Sequence, residues 1–304
     1  MFWNPLSYKK KDLSGKVAIV TGSNAGLGLE TARQLAEMNA KVYLACRNSE
    51  KANVAIEDIK ETTGNSQLEF LDLNLEKISS VREFCSKFKR TEPVLDILIN
   101  NAGLIQMDRN KSEDGFEKTL QCNYISHLYM TYLLLPSLKK AQCARVVNVA
   151  SNAFKVGTFD LENIHGTKEG VPFKTTSFYA TSKLYNIMST KALASRLEKY
   201  NILINSTHPG FVSTEIWKKD DFKAKWYYPI LIPFITIAAY LFSRSPSYAA
   251  ITSLHPAVDP SVTDSGNYYD CCRKVDLKRY FSDSDCDSLL EKTFQLLDLD
   301  VDSI

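Results

Sequence analysis

The run Lys16-Val17-Ala18-Ile19-Val20 passes straight into Thr21-Gly22-Ser23-Asn24-Ala25-Gly26-Leu27-Gly28, and a helix pattern with Leu29, Ala32, Leu35 and Ala36 on one face begins there. A short apolar, β-branched run suits a buried parallel strand, whose two covered faces leave no polar alternation. Glycines in the turn let the backbone bend tightly and approach a pyrophosphate, while the helix start offers free N–H groups. Thr21, Gly22, Ser23, Asn24, Gly26, Leu27 and Gly28 are therefore candidate phosphate-binding residues. Their spacing, Gly-x-x-x-Gly-x-Gly, departs from the Gly-x-Gly-x-x-Gly fingerprint, and a ligand-free glycine turn is the other reading.

Strand and helix patterns then alternate: a strand over 41–45, a helix over 51–62, a strand over 68–73, a helix over 79–89 and a strand over 95–100. That alternation predicts an α/β fold, a single Rossmann-type doubly wound parallel sheet flanked by helices. Ligands of such sheets collect at the C-terminal strand ends. The second strand ends in Cys46-Arg47-Asn48, with no carboxylate for a ribose 2′-hydroxyl. The fork of donors on Arg47 suits a 2′-phosphate, which points to NADP(H). Asp72 and Leu73 end the third strand, where an adenine would lie. Asn101, Ala102 and Gly103 end the next one, and small residues there suit a backbone pressed against a cofactor.

A long helix is expected over 116–140, with Asn123 in a mostly apolar setting that implies a partner for its amide. The strand over 145–151 ends at Ser151. After a long connection, Phe178-Tyr179-Ala180-Thr181-Ser182-Lys183 places a phenol and an ammonium one helical turn apart on one face. A free Tyr hydroxyl titrates near 10, too high for acid–base work near neutrality, and a fixed cation nearby favours the phenolate. A last parallel strand over 202–207 leads into His208-Pro209-Gly210-Phe211-Val212-Ser213-Thr214.

With 304 residues, a formal net charge of +2 and no basic stripe, the chain reads as an ordinary globular protein with no electrostatic case for nucleic acid. Its seven cysteines are odd in number and lack metal-ligand spacing, so they read as reduced thiols and no metal is expected. Residues 1–14 lack the pattern of a signal peptide. They read as a disordered leader or, through Phe2, Trp3 and Lys9-Lys10-Lys11, as a touch point for a membrane surface.

These pieces, in order, resemble the short-chain dehydrogenase/reductase family: Thr21-Gly22-x-x-x-Gly26-x-Gly28, Asn100-Asn101-Ala102-Gly103, Asn123, Ser151, Tyr179-x-x-x-Lys183 and Pro209-Gly210-x-x-x-Thr214. Ala45-Cys46-Arg47-Asn48, Asp114-Gly115-Phe116-Glu117 and Thr207-His208-Pro209-Gly210 resemble its retinol dehydrogenase and WW-domain oxidoreductase group. The chain departs from that group at Ser126 and Ala150. The resemblance implies that Tyr179 is the acid/base, that Lys183 contacts the nicotinamide ribose and lowers the phenol's pKa, and that Ser151 binds the substrate oxygen. It also implies that Asn123 holds a water linking Lys183 to solvent, and that Pro209, Gly210, Val212 and Thr214 anchor the nicotinamide.

The function it implies is NADP(H)-dependent interconversion of an apolar carbonyl, such as a retinoid, steroid or lipid aldehyde, and its alcohol. An NADP(H)-binding regulatory protein with little turnover is the alternative. A C-terminal substrate lid is expected over about 213–245, where Trp226 to Phe242 is uncharged and apolar yet short of the roughly 20 residues a membrane span needs. A homodimer contact or a membrane contact are the other readings of that stretch. The expected organisation is a leader to 14, a catalytic domain over 15–275 and a helical tail over 276–304, in a cytoplasmic protein that is either free or peripheral on an intracellular membrane or lipid droplet.

Overall fold

The computed structural model describes residues 5–106, 110–170, 175–212 and 243–304. The apolar stretch 226–242, Thr214, Phe2 and Trp3 lie outside the described residues.

Strand β1, Val17–Thr21, is wholly buried and opens through the glycine turn into α1, Gly26–Glu37. β2, Lys41–Cys46, is followed by α2, Ser49–Thr63, whose start is fixed by Asn48 accepting the Lys51 N–H at 2.8 Å and whose end turns at left-handed Gly64. β3, Leu68–Asp72, leads to α3, Ile78–Thr91, which buries Val81, Phe84, Cys85 and Phe88 along one face. β4 is Ile97–Asn100.

The long helix expected over 116–140 is not uniform. A turn at Lys118–Leu120 passes through a π segment, Gln121–Ile125, into α4, Ser126–Leu138. The extra residue in each π turn shifts the face that Asn123 presents, and such bulges often mark functional sites. β5, Ala144–Val149, stops two residues short of Ser151, and two short 3-10 turns occupy part of the connection to α5, Thr175–Leu197. β6 is Ile202–His208.

Beyond β6 the structure adds elements that the sequence pattern does not declare. These are α6 (Pro246–Val258), β7 (Tyr268–Asp270) and β8 (Arg273–Val275), and after them comes α7 (Asp283–Leu296), which lies within the helical tail expected over 276–304. The sheet among the described residues runs β3-β2-β1-β4-β5-β6-β7-β8, so β6 is not the last parallel strand. β7 pairs parallel with it, and only β7–β8 is antiparallel. The strand order reverses between β1 and β4, the switch point where the carboxyl ends of two strands leave a crevice.

Alternation along β1 sends its side chains to opposite layers. Val17 and Ile19 enter the core shared with α3, α4, α5 and α7, whereas Ala18 and Val20 enter the core shared with α1, α2 and α6. The first described residues are docked rather than disordered: Leu13 joins the second core, the Leu6 N–H donates to Tyr248 at 2.7 Å, and the Lys9 N–H donates to Asp259 at 2.8 Å. The C-terminal helix is equally committed. A Ser282/Asp285 capping box starts it, and it buries Leu289, Leu290 and Phe294 in the first core.

Candidate active site

At the switch point, the N–H groups that open α1 face a cleft with no side-chain cap at Ala25. Gly22, Asn24, Gly26, Leu27 and Gly28 line that cleft, a cavity of about 510 Å³ that also reaches Ser151, Tyr179 and Lys183. Gly28 is required by packing. A Cβ there would stand 2.4 Å from the Gly22 carbonyl oxygen and 2.5 Å from Asn101 Nδ2, closer than atoms tolerate.

Thr21 and Ser23 do not face this cleft. Both are wholly buried, and Ser23 Oγ donates to the Val20 carbonyl at 2.8 Å. Thr21 Oγ1 accepts the N–H groups of Asn101 and Ala102, each at 2.9 Å, and so pins the end of β4 against β1. It also meets His127 Nε2 at 3.0 Å, while His127 Nδ1 lies 3.2 Å from the Asn123 carbonyl. A carbonyl only accepts, so the Nδ1 proton goes to Asn123 and Nε2 accepts from Thr21. Burial favours this neutral imidazole and pushes its pKa down to about 4.

Three of the four candidate catalytic side chains, Ser151, Tyr179 and Lys183, line one end of the cleft, and Asn123 is wholly buried close by. Ser151 follows β5, its hydroxyl bonds to Tyr179, and its Oγ also accepts the Ala153 N–H at 3.2 Å. Lys183 is buried and donates from Nζ to the Val149 carbonyl at 2.8 Å, with Nζ 5.6 Å from the centre of the Tyr179 ring. Asn123 is held on both amide atoms: Oδ1 accepts the Leu104 N–H at 2.8 Å, and Nδ2 donates to the Leu104 carbonyl at 2.9 Å and to Ser182 at 3.1 Å. Its main-chain oxygen takes the Asn186 amide at 2.9 Å besides His127. Gly103 completes the corner, since a Cβ there would lie 3.4 Å from Asn123 Oδ1 and 3.6 Å from Lys183 Nζ.

The electrostatics correct one expectation. Tyr179 is pushed above its ordinary range by burial, and the opposing influence is the bond from Ser151 rather than the charge of Lys183. Lys183 is itself desolvated, which brings its pKa down to about 8 and leaves it protonated at neutral pH.

A second cavity of about 570 Å³ shares Gly22, Asn24, Ala102 and Gly103 with the first and extends over the ends of β2 and β3 to Arg47 and Leu73. Asp72 is exposed at the end of β3, outside that lining. Sequence reasoning passed over Glu76, which lines this lobe and accepts from Arg47 Nη1 at 2.8 Å. It is one acid among many in a polar turn, and nothing local marks it.

At the other end, Pro209, Gly210 and Val212 line the first cavity, and Val212 forms a bridge to Arg244. His208 and Asn152 line it too and were also passed over. Asn152 spans β6 to reach β7, accepting from Tyr268 Oη at 2.9 Å and donating to Asp270 at 3.1 Å. His208 is pushed down to about 4 by burial, with Asp270 opposing, and its Nδ1 has no hydrogen-bond partner among the described residues.

A dinucleotide fits this ground. The uncapped start of α1 can take its pyrophosphate, the space a Gly103 side chain would fill stays open beside Lys183, and the two lobes are joined. Lys183 and Tyr179 would hold the nicotinamide end and Arg47 the adenosine end. Among the described residues no group of three or more His, Cys, Asp or Glu could hold a metal ion.

Comparison with known proteins gives a family and a likeness of fold. A family profile described as short chain dehydrogenase matches residues 16–224. Human retinol dehydrogenase 11 is 37% identical over 287 residues, covering 91% of this chain and 86% of its own length. Mouse retinol dehydrogenase 12 is 36% identical over 264 residues, covering 86% and 80%. Among solved structures, L-sorbose reductase from Gluconobacter frateurii, complexed with NADPH and L-sorbose, superposes with a TM-score of 0.68 at 21% identity over 86% of this chain and 97% of that one, a likeness of fold.

Proposed function

The chain belongs to the short chain dehydrogenase family, and from that membership we propose that it is an NADP(H)-dependent oxidoreductase interconverting an apolar carbonyl compound and its alcohol. The observation that carries the proposal is the meeting of Ser151, Tyr179 and Lys183 at one end of a cleft whose other end presents Arg47. The nicotinamide, when bound, supplies or accepts the hydride.

In the reducing direction the substrate oxygen gains negative charge as its carbon is attacked. Ser151 donates a hydrogen bond to that oxygen, and Tyr179 donates a second and then its proton. The raised pKa of Tyr179 keeps the phenol protonated before the substrate arrives, the state an acid needs. Lys183, held in place by the Val149 carbonyl, orients the cofactor ribose and stabilises the phenolate left behind. In oxidation the same groups act in reverse.

The retinol dehydrogenase relatives favour a retinoid or another lipid carbonyl as substrate. NADPH consumption with a panel of retinal, alkyl aldehydes and ketosteroids tests the substrate class. Tyr179→Phe should lower turnover by about 10²- to 10⁴-fold, the usual contribution of a positioned acid, while NADPH still binds. Turnover kept by that variant would remove Tyr179 from the acid's role. NADPH binding with no turnover on any carbonyl would favour the regulatory alternative.

A further inference from the structure

Glu76 lies on a fixed turn after β3: its N–H donates to Asn74 Oδ1 at 3.0 Å, and the Asn74 N–H donates to Ser80 at 3.0 Å. Its two carboxylate oxygens are divided. One takes Arg47 Nη1 at 2.8 Å, and the other takes Lys118 Nζ at 3.2 Å. Lys118 belongs to the short turn before the π segment. Arg47 and Glu76 both line the lobe that would receive the adenosine half of the cofactor. The acid is the sheltered member, 23% exposed against 67% for Arg47, so the arginine extends from a largely solvated position toward a carboxylate set in the wall.

The geometry points to Glu76 as a cofactor-discriminating residue that competes with the 2′-phosphate of NADP(H) for Arg47. The inference rests on the reading of Arg47 as the phosphate-binding residue. A dianionic phosphate arriving at Arg47 meets a carboxylate already bonded to it, and both anions cannot keep the full attention of one guanidinium. The phosphate gains Arg47 only as the Arg47–Glu76 pair loosens. Lys118 makes the exchange feasible, because Glu76 keeps a cation on its second oxygen and is not stranded. NAD(H), with a neutral 2′-hydroxyl, asks for no exchange and leaves the pair in place. Glu76 thus narrows the preference for NADP(H) that Arg47 alone would set, and it is a specificity residue rather than a catalytic one.

Dissociation constants for NADPH and NADH, measured by fluorescence titration on the full chain without substrate, test this. Glu76→Gln keeps the shape and removes the charge. It should tighten NADPH by about two- to fivefold, the range of an exposed ion pair, and leave NADH unchanged. Arg47→Ala should weaken NADPH by about tenfold or more, as loss of charge-assisted bonds does, and in that background Glu76→Gln should have a smaller effect. An unchanged or reduced NADPH-to-NADH affinity ratio in Glu76→Gln, with Arg47→Ala still weakening NADPH, overturns the competition alone. NADPH affinity unaffected by Arg47→Ala overturns the phosphate reading itself and the competition with it.

Discussion

Lys183 answers two opposed demands. In the proposed mechanism its charge acts at the reacting end of the cleft, yet it is buried and donates to the Val149 carbonyl. A base whose folded pKa is about 8, against 10.5 when free, holds its proton more loosely folded than unfolded. Folded protein therefore carries the cost of this cation at all pH values below about 8 and sheds it as pH rises toward 10.5. The difference is worth about 3 kcal/mol at neutral pH. Lys183→Met removes the cation and leaves Val149 short of a donor, so urea unfolding at pH 7 should show a gain of about 1–3 kcal/mol while turnover is lost. A loss of stability would mean that the ammonium is a structural support. The Tyr179–Lys183 pair was legible because residue type and one helical turn of spacing put both on one face, whereas Ser151 and Asn123 stood out only through the family resemblance. Glu76 and Asn152 were not legible, because their roles come from partners, Arg47, Tyr268 and Asp270, that only the folded sheet brings near.

Between elements, the end of β5 is tied across β6 to β7 through Asn152. Ser151 is its chain neighbour, so the tie fixes the hydroxyl proposed to meet the substrate oxygen. Asn152→Ala should lower kcat by about tenfold, the loss expected of slight misplacement, and leave NADPH affinity unchanged. Equal falls in both would show general loosening of the sheet instead. The glycine turn makes a steric demand of the same kind. In Gly28→Ala the new methyl faces the Gly22 carbonyl, a backbone atom that cannot swing away, and overpacking of this sort costs about 1–3 kcal/mol. Thermal unfolding alongside NADPH titration should show both stability and affinity reduced, and an unaltered protein would mean that the β1 turn shifts freely. Strands β1 to β6 were readable from apolar runs and glycine punctuation. β7 and β8 were not, since three residues are too few for a period, and β8 is exposed throughout. The π segment was hidden because its sequence is an ordinary helix former, and the widened turn coincides instead with the bonds Asn123 makes to Leu104, Ser182 and Asn186.

For the molecule as a whole, acid should be more damaging than the near-balanced charge suggests. His127 is buried neutral with a folded pKa of about 4 against 6.5 when free, so the unfolded chain binds the extra proton first as pH falls. Its contribution is complete above about 6.5 and lost by about 4, ~3 kcal/mol in all, and His208 shifts in the same direction. Unfolding free energies measured from pH 7 to 4 should fall along that window, and His127→Gln, which keeps two polar ends, should flatten the slope. A slope identical to the parent would clear His127 of the effect. The packing of α7 into the core beside α5 has a consequence for how the protein is made. While α7 is still inside the ribosome, the flank of α5 that shares a core with Leu289, Leu290 and Phe294 is bare. The helix bearing the phenol and the ammonium can settle only once α7 is free to cover it, so a nascent chain stalled before that point is one for chaperones to shield.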